Sequence, residues 1–154
     1  MNIVLLEPEI PQNAGNISRT CAVTHTALHM IRPFGFSVED KYLKRAGLDY
    51  WDMLDLHYYD NFQEFCEKNP GAKMWFATTK AQQVYSDVTY GADDYIVFGK
   101  ESAGIQMCIR DRTATANGAK FQLILRTAQQ RLSDLLIGIQ LKRTGLDVYK
   151  RQAL

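Results

Sequence analysis

Three short stretches hold the residues best suited to chemistry. Asn13, Asn16 and Arg19 lie in the polar run Pro11 to Thr20, Ala77 to Lys80 includes Thr78, and Gly99 to Gly104 sets Glu101 between two glycines. Glu101 can accept a hydrogen bond from a ribose or an amino group, and Gly99 and Gly104 remove side chains where a ligand would approach backbone donors. Turn geometry explains such a glycine pair about as well as ligand approach does. Other motifs are weaker. His25 and His29 have i, i+4 spacing but straddle the start of a predicted strand and lack a third ligand, so two ordinary histidines are the better reading. No Gly-x-Gly-x-x-Gly, phosphate-loop lysine or Gly-x-Ser-x-Gly occurs, which weakens the dinucleotide, nucleoside-triphosphate and hydrolase readings.

All three stretches follow predicted strands. Asn2 to Leu6 is short and apolar on both faces, as a strand buried between helix layers is; Ala27 to Ile31 is a second apolar run, and Leu54 to Tyr59, Lys73 to Thr78 and Asp94 to Phe98 read likewise as strands. Helical spacing begins at Asn13, with Ala14, Ile17, Cys21 and Ala22 on the packing side. Ser37 to Gly47 reads as a second helix, and Asn61 to Lys68 as a third, stopped by Asn69-Pro70-Gly71. Lys41, Lys44 and Arg45 read first as a solvated helix face, and alternatively as a nucleic-acid patch beside Tyr50 and Trp51. Strands alternating with helices imply an α/β fold, a mostly parallel sheet with helices on both faces. In such a sheet the loops at the carboxyl ends of the strands converge on one crevice.

Composition sets the bounds. The 154 residues, 46% hydrophobic and 23% charged, read as one globular domain, 1–154, and the formal net charge of +1 argues against a strongly basic binder while leaving a local nucleic-acid patch open. Cys21, Cys66 and Cys108 are widely spaced, with no C-x-x-C pair, so a reduced, cytoplasmic setting is expected and no metal site. The chain enters its first strand without a basic leader, and no apolar run nears the ~20 residues of a membrane span, so no membrane role is expected.

Several ordered motifs carry a resemblance. Asn2-Ile3-Val4-Leu5, Glu7-Pro8-Glu9-Ile10-Pro11-Gln12-Asn13, Gly15-Asn16-Ile17-x-Arg19, Arg45 to Tyr50, Thr78-Thr79-Lys80 and Phe98 to Ile105 resemble the tRNA (cytidine(34)-2'-O)-methyltransferase family, a branch of the SPOUT methyltransferases, over about residues 1–105. The resemblance implies an α/β knot, a homodimer, S-adenosylmethionine as methyl donor and the wobble ribose in the anticodon region of tRNA as acceptor. By position it implies that Arg19 stands near the reacting ribose, that Asn13 and Asn16 shape its loop, and that Ala77, Thr78, Gly99, Glu101 and Gly104 line the cofactor pocket. A guanidinium stays protonated at neutral pH, so Arg19 is read as a cation that holds the adjacent phosphate and stabilises the developing alkoxide, rather than as a base.

After Ile105 the chain departs from that pattern. The family's third motif, with its Ile-Arg-Ile-Pro-Met strand and Ser/Leu/Asn loop, is missing; Phe121 to Gln140 reads as a helix on Leu123, Leu125, Leu132, Leu135, Leu136 and Ile139. Met107 to Arg112 and Asp147 to Gln152 look like translated sequencing-adapter fragments, and residues 106–154 are read as an aberrant, artefactual tail. The alternatives to the methyltransferase are a catalytically dead tRNA- or partner-binding module unable to hold the cofactor, and an α/β enzyme acting on a small phosphorylated substrate. Independent sequencing of the source DNA is expected to give a different frame after Ile105; the same frame would overturn the reading of the tail.

Overall fold

The computed structural model describes residues 1–37, 53–105 and 120–125. Within them six strands form one sheet: β1 (Asn2–Leu6), β2 (Ala27–Ile31), β3 (Leu56–Tyr59), β4 (Lys73–Thr78), β5 (Tyr95–Phe98) and β6 (Lys120–Leu125). Their spatial order is β3-β2-β1-β5-β4-β6, and every pairing is parallel. The helices are α1 (Pro11–Thr24) and α2 (Phe62–Lys68).

The two apolar faces of the central strands feed two cores. Ile3 and Leu5 of β1 pack with Leu28, Met30, Ile96 and Phe98 beneath Ala14, Ile17 and Cys21 of α1. Val4 and Leu6 point the other way and join Ile31, Met74, Phe76 and Val97 beneath Phe65 and Cys66 of α2. The expected parallel sheet with a helix on each face is therefore present, and the period of two along each strand is what splits the cores.

The local signals act largely as read. Pro11 stands at the start of α1, two residues before the expected Asn13, because its missing N–H and fixed φ suit a first helical position. Asn61 caps α2 by accepting from the Glu64 N–H at 2.9 Å, and Glu64 reaches back to the Asp60 N–H at 2.6 Å. The helix ends in a Lys68–Glu64 pair at 2.7 Å. The Ser37 to Gly47 helix and the Tyr50–Trp51 patch lie outside the described residues, apart from Ser37.

One expectation needs correction. Residues 121–125, read as the start of a helix, belong to β6, which pairs with β4 over six positions from Lys73↔Lys120 to Thr78↔Leu125. A short apolar run does not declare its period, and the open edge of β4 offers a row of backbone donors and acceptors that a strand satisfies and a helix does not. Whether the chain threads a knot depends on residues 106–119 and 126–154, which lie outside the described residues, as does Cys108.

His29 is the one core imidazole with a large electrostatic consequence. It is 4% exposed on β2, its Nδ1 stands 3.0 Å from the Tyr59 hydroxyl, and its ring stacks on His57 at 4.8 Å. Its Nε2 has no hydrogen-bond partner among the described residues. Burial, and secondarily the His57 ring, push its pKa down to about 4, so the folded protein holds it neutral. The unfolded imidazole titrates near 6.5, so its contribution to stability is complete above that pH and is lost as the pH falls toward 4. Chemical denaturation is expected to show the wild type losing about 2 kcal/mol relative to His29→Gln between pH 7 and pH 5; parallel pH profiles would contradict this.

Candidate functional site

In this sheet β1 leads through α1 to β2 on one side, whereas the strand that follows β5 in sequence, β6, stands on the far side of β4. The chain therefore leaves the carboxyl ends of neighbouring β1 and β5 in opposite directions, the switch point at which open α/β sheets have their ligand crevice. Register sets both ends level: Leu5 pairs with Phe98, and Phe98 with Ala77.

Charged side chains lash the β1 and β5 loops together. Glu101 accepts from the Glu9 N–H at 2.8 Å, from the Asn13 side-chain amide at 3.2 Å and, more weakly, from the Ile10 N–H at 3.4 Å. In return the Glu9 carboxylate accepts from both the N–H and the hydroxyl of Ser102, each at 2.9 Å. Those two bonds, the hydroxyl first, hold the Glu9 carboxyl below its usual range. Lys100 Nζ pairs with Glu7 Oε2 at 2.6 Å, which pushes the lysine pKa up. Glu7 itself adopts φ 51°, turning the chain sharply out of β1.

The β5 loop then closes on itself. The Gly104 N–H donates to Lys100 O at 2.8 Å. A Cβ on Gly99 would stand 2.3 Å from Gly104 C and 2.5 Å from the Ile105 nitrogen, so no other residue fits position 99 without moving the backbone. Gly104 has φ +66° and, by contrast, no atom of the described residues within 4 Å of where a side chain would point.

The expected site residues fall into place unevenly. Asn13 and Glu101 are directly bonded. Asn16 and Arg19, one turn apart on α1, are both solvent-exposed. Ala77 is buried in the α1-side core, and Thr78, half-buried, accepts from the Lys80 N–H at 3.2 Å. The β4 loop thus joins the site through strand register. Sequence reasoning did not assign Glu7, Glu9, Lys100 or Ser102. Their complementary types stood in view at the ends of two strands, but no local pattern pairs residues 93 positions apart.

Two rival locations carry less. A depression of about 260 Å³ lined by Asn69, Ala72, Lys73, Asp94 and Tyr95 opens at the amino-terminal edge of the sheet, where Asp94 is already bonded by Lys73, Trp75 and Gly91. The Cys21 and Cys66 thiols are buried and pushed up to about 12 and about 11, which keeps them unreactive. No group of three His, Cys, Asp or Glu able to hold a metal occurs among the described residues, and no helix there is long and apolar enough to cross a membrane.

Comparison with known proteins converges on one family. The pattern of the SpoU rRNA Methylase family matches residues 1–117, twelve residues past Ile105. A Listeria monocytogenes serotype 4b (strain F2365) protein is 57% identical over 107 residues, which span 68% of this chain and 63% of that relative's length. The tRNA (cytidine(34)-2'-O)-methyltransferase of Methylovorus glucosotrophus (strain SIP3-4) is 39% identical over 133 residues, 86% of each chain. A solved structure described in terms of 2-OH methylation of C/U34 on tRNA superposes with a TM-score of 0.74 at 34% identity, covering 94% of this chain and 92% of that one. The chain belongs to the SpoU rRNA Methylase family, in the branch of the tRNA (cytidine(34)-2'-O)-methyltransferases.

Proposed function

We propose that this protein transfers a methyl group from S-adenosylmethionine to the ribose 2'-hydroxyl of a tRNA wobble nucleotide, position 34. The observation that carries the reading is the meeting of the β1 and β5 loops: the amino end of α1, whose Asn13 bonds Glu101 and whose later turns bear Asn16 and Arg19, adjoins the glycine-bounded loop from Gly99 to Gly104. Family membership supplies the reaction class.

The glycine-bounded loop, with no described residue within 4 Å of the Gly104 Cβ position, fits a nucleoside-bearing donor held against backbone, with Ala77, Thr78, Gly99 and Glu101 around it. When bound, the sulfonium supplies an electrophilic methyl carbon. The protein's part is then orientation, which alone can supply on the order of 7–11 kcal/mol. Arg19, exposed on α1, holds the phosphate next to the target ribose and stabilises the oxygen as its proton passes to solvent water and the methyl carbon leaves the sulfonium sulfur, which departs as the neutral thioether. Asn13, tied to Glu101, fixes the first turn of the helix that carries Arg19.

The partner is the anticodon region of tRNA, the working form a homodimer and the setting the cytoplasm, with no metal required by the chemistry. The reading of a dead binding module draws no support from the relatives, which carry enzyme names. With radiolabelled donor and tRNA, Arg19→Ala is expected to lower methyl transfer about 10²–10³-fold, while calorimetry shows donor affinity within about threefold of wild type. Full activity in the variant, or donor binding lost along with activity, would rule out this role.

A further inference from the structure

We propose that Glu9 is a positioning residue that ties the Arg19-bearing half of the site to the Gly99–Gly104 half, a role that rests on reading the crevice as a methyl-transfer site. Three carboxyl-end loops meet at this residue. Its carboxylate takes both Ser102 donors at 2.9 Å, and its N–H donates to Glu101 Oε2 at 2.8 Å. Behind it, after β2, Gly35 packs so closely that a Cβ there would lie 2.7 Å from Glu9 Cα and 2.8 Å from Glu9 O. The Gly35 N–H also donates to Pro8 O at 2.9 Å. Glu9 therefore cannot retreat toward β2, and it cannot shift along the β5 loop without breaking two bonds at once.

Hydrogen bonds to an ionised carboxylate are shorter and stronger than neutral ones, and two of them from one residue fix direction as well as distance. The groups are solvent-accessible, so their share of folding stability is small. Their share of geometry is larger. The bonds set where the β5 loop stands relative to the head of α1, and a misplacement of about 1 Å between reacting partners costs about 10²-fold in rate. Glu9 touches neither substrate in this scheme; it acts through Ser102 and Glu101.

The test uses the full chain with saturating tRNA and donor. Glu9→Ala is expected to lower kcat about 10–100-fold, to raise amide hydrogen exchange across residues 99–104, and to leave the melting temperature within about 4 °C of wild type. Glu9→Gln keeps one acceptor oxygen and recovers part of the rate. Ser102→Ala removes the hydroxyl alone and costs less, and the double variant is no slower than Glu9→Ala because both changes break one link. Wild-type kcat and exchange in Glu9→Ala would overturn the proposal. If that variant does not fold, an unchanged kcat in Ser102→Ala overturns it instead. A wild-type protein that transfers no methyl group to tRNA would remove the reading of the site, and exchange across 99–104 would still decide the link: raised by Glu9→Ala supports it, unchanged overturns it.

Discussion

A helix whose N-cap is isoleucine has no side-chain oxygen to offer its own first amides, and α1 begins that way, at Ile10, with no acidic residue in its first turn. A carboxylate from the β5 loop stands at that end instead, bonded to the residues just ahead of the helix. Glu101 places a carboxylate at the amino end of α1, where the helix dipole favours negative charge, and takes the Glu9 and Ile10 amides together with the Asn13 side chain. The helix bearing Arg19 is in this sense completed by another loop. The site depends on that long-range carboxylate, because it fixes the β1 and β5 loops relative to each other.

The packing beneath α1 keeps the helix close to the sheet. Ala14, Gly15, Ser18, Cys21 and Ala22 line its buried side, leaving Ile17 as the single large side chain there. Ser18, the polar member, returns its hydroxyl to Ala14 O at 2.8 Å and so is buried without an unmet donor. The opposite face is built differently. Phe65 of α2 meets Tyr59, Tyr95 and the His29 ring in edge contacts at 5.1 to 5.6 Å. Small residues bring the functional helix down onto the sheet, and aromatic bulk supports the sheet from below.

Much of this was legible in the sequence. Asn2–Leu6, Ala27–Ile31 and Lys73–Thr78 could be read to the residue because a strand buried on both faces shows as an unbroken apolar run between polar punctuation. That the β1 and β5 loops share one crevice followed from parallel strands alternating with helices. What could not be read was pairing at long range. The bonds of Glu9 and Glu101 leave no periodic trace, since any acidic residue at a loop tip looks solvated from sequence. The β6 strand was misjudged for a related reason: its partner is Lys73–Thr78, and only the presence of that open edge selects strand over helix.

The position of β1 has a consequence for how the molecule comes into being. Its first neighbour, β2, follows within about one helix, but its second neighbour, β5, pairs Asn2 with Tyr95 and is made only after most of the described chain. Until then the central strand has an open edge and the head of α1 has no carboxylate. During synthesis the site is thus the last feature of the β1–β5 unit to be assembled, and it can exist only once the pairings that cover that edge are made. A nascent chain that has not yet covered its stickiest strand is also one that cannot yet bind or react.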